Sequence, residues 1–202
     1  MHRFWDERYQ EEGVYGFKPN PFWVNELSKL QPSEHSQRLL LPCEGEGRNA
    51  VWAAQKGWTV DAFDGSAVAV ATCKRWAKRA NTVVNAEHAD AMLYAGSAEG
   101  YDVIGLFYAH MPAALRPDFH QRVVDWLRPG GTLILEGFEP RQLGLPSGGP
   151  KDVNMLFTPE MMAADFAALD IATNSISEVV LDEGPYHQGP AHILQFVATK
   201  PI

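Results

Sequence analysis

Residues 39–54, Leu-Leu-Leu-Pro-Cys-Glu-Gly-Glu-Gly-Arg-Asn-Ala-Val-Trp-Ala-Ala, constrain this chain more than any other stretch. Three consecutive leucines read as a strand buried on both faces. Gly45 and Gly47 break it with a turn, and the alanine-rich run after Asn49 reads as a helix ending near Gly57. A strand, a glycine turn and a helix N-terminus in that order let a ligand approach bare backbone. Glycine has no Cβ, and the first helical N–H groups have no partners within the helix.

A second strand–helix unit narrows the choice of ligand. Residues 58–64 read as a strand ending in the carboxylate of Asp64, followed by Gly65-Ser66 and a helix over 67–79. Asp64 follows Gly45 by 19 positions, close to the offset of roughly 20 at which nucleotide-binding α/β folds place an acid on ribose hydroxyls. A ribose-bearing cofactor is expected. Ala50 completes a Gly-x-Gly-x-x-Ala dinucleotide fingerprint, but Glu44 and Glu46 place two carboxylates where a pyrophosphate would sit. S-adenosylmethionine, with a sulfonium and an ammonium, suits that acidic turn better than NAD.

Residues 45–50 (Gly-Glu-Gly-Arg-Asn-Ala), 60–66 (Val-Asp-Ala-Phe-Asp-Gly-Ser) and 127–136 (Leu-Arg-Pro-Gly-Gly-Thr-Leu-Ile-Leu-Glu) resemble the motifs of class I S-adenosylmethionine-dependent methyltransferases. The Gly-x-Gly-Arg-Asn form, with Trp5-Asp6-x-Arg8-Tyr9 and Tyr15-Gly16 ahead of it, is most similar to the small bacterial tellurite-resistance and thiopurine-type branch. The resemblance implies a Rossmann-like, doubly wound α/β fold: a seven-stranded sheet of order 3-2-1-4-5-7-6, the last strand antiparallel, with helices on both faces. It also implies methyl transfer from S-adenosylmethionine, leaving S-adenosylhomocysteine. One departure stands out: the family's acid at the end of strand one and the glycine two residues later fall here on Leu41 and Cys43, leaving Glu44 or Glu46 as substitutes.

Composition bounds the partners. The 202 residues read as one domain with a single core, 46% hydrophobic and 21% charged. A net charge of −8 argues against nucleic acid, whose backbone calls for clustered Lys and Arg, and a small-molecule acceptor is expected. Cys43 and Cys73 make no disulfide framework, the N-terminus does not read as a secretory signal, and no run reads as a membrane span. The expectation is a cytoplasmic protein without a metal site, of undetermined oligomeric state.

Expected cofactor contacts are Glu44, Gly45, Glu46, Gly47, Asn49, Asp64, Gly65 and Ser66, joined by Asp90 and Ala91 at the adenine, as the resemblance implies, and Phe107 at the end of strand four. An aromatic-rich segment over 1–30 precedes the first strand. The resemblance implies a lid there, around Tyr9 to Asn20, with Tyr15 facing the sulfonium or simply packing. His110 follows strand four, as an acceptor-side base or as a structural histidine bonded to backbone. Residues 137–157 lack periodicity and read as an acceptor-side flap. His187, at the tip of the final hairpin with Tyr186, is the first acceptor-side candidate, against a solvated loop histidine. Sulfur fits as the acceptor because a thiol needs little help from a base, and a chalcogen oxyanion stands beside it. The rival readings are a cofactor-binding protein without catalysis and, less favoured, an NAD-dependent oxidoreductase.

Overall fold

A computed structural model describes residues 2–32 and 38–202; Met1, the first residue of the expected lid segment, lies outside them. Two short helices, α1 (His2–Arg8) and α2 (Pro21–Leu27), precede an alternation of strands and helices. These are β1 (Arg38–Pro42), α3 (Arg48–Gln55), β2 (Thr59–Asp64), α4 (Ala67–Arg79), β3 (Asn85–His88), β4 (Tyr101–Phe107), α5 (Arg116–Trp126) and β5 (Leu127–Phe138). Helix α6 (Pro159–Asp165) and the hairpin β6 (Asp170–Asp182) and β7 (Gln188–Thr199) complete the chain.

The sheet has the expected order, β3-β2-β1-β4-β5-β7-β6. Strands β1 to β5 pair in parallel, and β7 runs antiparallel to both β5 and β6. Leu39, Leu40 and Leu41 are fully buried and alternate between the two faces, Leu40 with α5 and Leu39 and Leu41 with α2, α3 and α4. Burying both faces needs just such an unbroken apolar run. The reversal of strand order between β1 and β4 opens the crevice at the carboxyl ends where ligands sit in such sheets.

Strand β3 is short, because residues 80–82 close off α4: Asn81 adopts φ 51° and Thr82 N–H donates to Ala77 O. Pro129-Gly130-Gly131 lies within β5, where Gly130 N–H bonds Lys200 O and Lys200 N–H bonds Gly131 O. The segment over 137–157 is pinned down: the buried Gln142 donates to Ser147 Oγ and Gly148 O and accepts from His192 N–H.

Candidate active site

The glycine turn is held from below by one carboxylate. Asp64, at the end of β2 and 7% exposed, accepts Gly45 N–H on Oδ2 (2.9 Å) and Ser66 N–H on Oδ1 (2.8 Å). A carboxylate offers about four lone-pair positions, so two remain. Burial raises its pKa, and only backbone N–H groups donate to it within hydrogen-bond distance among the described residues. Gly47 begins α3 at φ 91°, with Cys73 Sγ of α4 pressed where a Cβ would project, so this position needs glycine.

Glu44 and Glu46 point to different partners. Glu44 Oε1 accepts both Asn49 and Ala50 N–H at 2.8 Å, filling the α3 N-terminus from within. Its carboxyl is pushed up to about 7, chiefly by burial. Glu46 reaches upward, accepting Gly13 N–H at 2.9 Å and Val14 N–H at 3.1 Å. Residues 9–20 thus cross the turn. Tyr9 Oη stands 2.5 Å from where a Gly45 Cβ would be, and Asn20 N–H donates to Asn49 Oδ1 at 2.8 Å. The cavity bounded by Tyr9, Tyr15, Gly16, Glu44, Glu46 and Arg48 is about 30 Å³. Ligand sites hold roughly 300 Å³ or more, so the strap as placed leaves less room over the turn than a bound cofactor fills.

The adenine-side candidates line a partly exposed ledge. Asp90 Oδ1 accepts Met92 N–H at 2.8 Å, Ala89 N–H bonds Asp64 O, and Ala91 is half-buried beside them. Gly65 O faces His88 Nε2 at 3.2 Å. Ser66 is fully buried as the N-cap of α4, its hydroxyl donating to Asp6 of α1. Phe107 turns into the core against Trp23, ring centroids 5.5 Å apart. Leu41 is likewise in the core, and Cys43 takes the left-handed φ of 53° that a glycine would prefer.

Of the candidates expected on the acceptor side, Tyr15 and His187 touch directly, and His110 stacks on the Phe138 ring that His187 also meets. His187, 6% exposed, packs its ring on Tyr15 (4.6 Å), Tyr108 (4.5 Å) and Phe138 (5.3 Å), with Nδ1 3.4 Å from Glu183 Oε2. Burial lowers its pKa despite that carboxylate. His110 has both ring nitrogens committed: Nδ1 to Met155 O at 2.7 Å, and Nε2 to Phe138 N–H at 3.0 Å. With its pKa pushed down to about 4 by burial, it is a neutral buckle between β5 and residues 153–155, with no lone pair for an acceptor's proton. The sequence reading as a base is thereby replaced by its structural alternative.

Asn20, Arg48 and Glu183 went unnoticed in the sequence as site residues. Asn20 Nδ2 donates to Glu136 Oε1 (2.6 Å) and Glu183 Oε1 (3.3 Å) while its Oδ1 caps α2 at Trp23 N–H. Arg48 Nη2 pairs with Glu183 Oε2 at 2.9 Å. Glu44, Glu46 and Arg48 line the crevice and Asp64 holds the glycine turn beneath it, while Arg48 pairs with Glu183 and the Arg8 guanidinium lies over the Tyr186 ring. That donor set fits a cofactor carrying two positive groups and ribose hydroxyls, and opposes a pyrophosphate.

Residues 41–131 match the methyltransferase-domain family. That stretch of the chain is similar to methyltransferase domains. A thiopurine S-methyltransferase of Vibrio cholerae serotype O1 is 25% identical over 166 residues, 74% of this chain and 75% of that protein. The fold is shared with the N-methyltransferase NodS from Bradyrhizobium japonicum, solved with S-adenosylhomocysteine, at a TM-score of 0.72 and 14% identity, covering 100% of this chain and 98% of that one. TehB from Haemophilus influenzae superimposes at 0.71 with 14% identity, covering 98% and 66%. Among the described residues no helix is long and apolar enough to cross a membrane, and no group of three His, Cys, Asp or Glu is placed to hold a metal.

Proposed function

We propose that the chain transfers a methyl group from S-adenosylmethionine to a small-molecule acceptor, a thiol being the first class to test. The reading is carried by Asp64, whose buried carboxylate holds Gly45 and Ser66 and keeps two lone pairs toward the crevice for ribose hydroxyls. Glu44 and Asp64 are assigned to the cofactor, Glu44 receiving its ammonium in place of the acid missing at Leu41, with Gly45 and Gly47 giving backbone access. Asp90 and Ala91 are assigned to the adenine ledge. When bound, S-adenosylmethionine supplies a methyl carbon already activated by its sulfonium.

What the chain adds is alignment and dryness. Residues 9–20 close over the turn, and Tyr15, Tyr108, Phe138 and His187 wall the acceptor side, so that orientation supplies much of the rate. His187, neutral in this wall, is assigned to positioning the acceptor. A thiol needs little help from a base, and the name of the Vibrio relative points the same way. Two buried carboxylates, Glu136 and Glu183, weigh against a chalcogen oxyanion.

Calorimetric titration with S-adenosylmethionine, S-adenosylhomocysteine and NAD tests this reading on the wild type and Asp64→Ala. Micromolar binding of the first two that falls by about 10- to 100-fold in the variant supports it; preference for NAD overturns it. The tight packing of the acceptor wall favours a second reading, a cofactor-binding protein without turnover. Saturable cofactor binding with no methyl transferred to any thiol would select it.

A further inference from the structure

Glu136 is the last residue of β5 to pair with β4, beside Phe107 at the carboxyl end of that strand. It is 3% exposed, and its partners are neutral: Asn20 Nδ2 and Tyr108 Oη on Oε1 at 2.6 and 3.0 Å, and Gln195 Nε2 on Oε2 at 2.8 Å. Glu183 nearby has Arg48, whereas no cation pairs with Glu136 among the described residues. A buried carboxylate without a counter-charge is costly to keep. Oε2 still has a lone pair to offer.

The surroundings select what comes to it. Its three donors belong to the strap, to the end of β4 and to β7, the elements that wall the acceptor side. Tyr108 is held at φ 53°, a left-handed backbone that a tyrosine adopts at a cost, and its N–H is tied to Glu136 O at 2.8 Å. Its ring continues into the Phe138, His187 and Tyr15 wall. That wall already takes one cation, since the Arg8 guanidinium lies 3.8 Å over the neighbouring Tyr186 ring.

We propose that Glu136 is a specificity-determining residue of the acceptor site, receiving a protonated nitrogen carried by the acceptor beside the atom that takes the methyl. The inference rests on the methyltransferase reading above and names the acceptor's charge class. Burial also holds the Glu136 carboxyl above its usual range, as a charge awaiting a cation would be. The acceptor's nitrogen takes the open position on Oε2, or replaces the Asn20 amide when the strap lifts.

The test uses three thiols that differ in the charge at their far end: cysteamine (cationic), 2-mercaptoethanol (neutral) and 2-mercaptoethanesulfonate (anionic). For the wild type, kcat/KM should be highest for cysteamine and lowest for the sulfonate. In Glu136→Gln the cysteamine-to-sulfonate ratio should fall by about 10-fold or more. An unchanged ratio, a wild-type preference for the sulfonate, or a variant that loses S-adenosylhomocysteine affinity with its ratio intact overturns the inference. Calorimetry of the same thiols on wild type saturated with S-adenosylhomocysteine needs no variant. Cysteamine binding without turnover would defeat the thiol reading and leave the inference standing, and no preference for cysteamine over the sulfonate would overturn the inference alone.

Discussion

The Arg48 guanidinium stands 2.9 Å from Glu183 Oε2, joining the start of α3 to the tip of the last hairpin across 135 positions of sequence. Both side chains are buried, at 9% and 8% exposure. Removing one partner of a buried pair leaves the other uncompensated, so Arg48→Ala should lose about 3–5 kcal/mol in urea unfolding. Arg48→Lys, which keeps the charge but not the fork, should recover part of it. A loss under 1 kcal/mol would show the pair to be idle.

Glu44 makes stability fall as pH rises. Its folded pKa of about 7 lies above the ordinary 4.5, so between those values the folded chain binds more protons than the unfolded chain. Its contribution is fullest below pH 4.5 and is lost as pH rises through 7. Glu44→Gln should flatten this part of the Tm-against-pH curve relative to wild type. Curves of equal slope would contradict the assignment.

His110 acts with the opposite sign. Its folded pKa of about 4 lies below the ordinary 6.5, so its contribution is fully present above pH 6.5 and is lost as pH falls through 4. Replacement by leucine strands Phe138 N–H and Met155 O, at about 1–3 kcal/mol for each group left dry. Melting at pH 7.5 and pH 5 should show the cost shrinking toward acid. If the residue were a proton acceptor instead, activity would collapse with little change in Tm.

Gly184, at φ 84°, packs where a Cβ would run into Gly16 N and lie 2.9 Å from the carbonyls of Gly13 and Val14. Gly184→Ala should prise the hairpin tip from the strap, costing about 1–3 kcal/mol through strain and overlap. Limited proteolysis should then cut within residues 9–20 faster than in wild type. Unchanged cleavage would mean that the hairpin tip does not hold the strap.

How much of this was legible in the sequence follows from the range of each interaction. The Leu39–Leu41 strand, the turn through Gly45 and Gly47, and Asp64 at its offset are local patterns, since run length, glycine and spacing act over a few residues or one strand–helix unit. Helix α4 was read at its observed limits, because Ser66 caps it from the adjacent position. The strand order came through resemblance rather than periodicity. The lid segment and the hairpin tip were likewise singled out, but nothing local told which backbone groups they would meet.

The partners of the polar side chains were out of reach for the same physical reason. Glu44 and Glu46, two residues apart in one turn, end with opposite tasks, one capping α3 from inside and the other clamping Gly13 and Val14. His110 reads identically as a base or a buckle until Phe138 and Met155 close on its two nitrogens. The sequence by itself determined the layered α/β frame, the glycine turn and the acid that serves it, because these follow from hydrophobic runs and backbone freedom. Only the tertiary structure decided which buried charges are compensated, leaving Glu183 matched by Arg48 and Glu136 without a cation among the described residues, because that depends on which distant elements the packed sheet brings within hydrogen-bond reach.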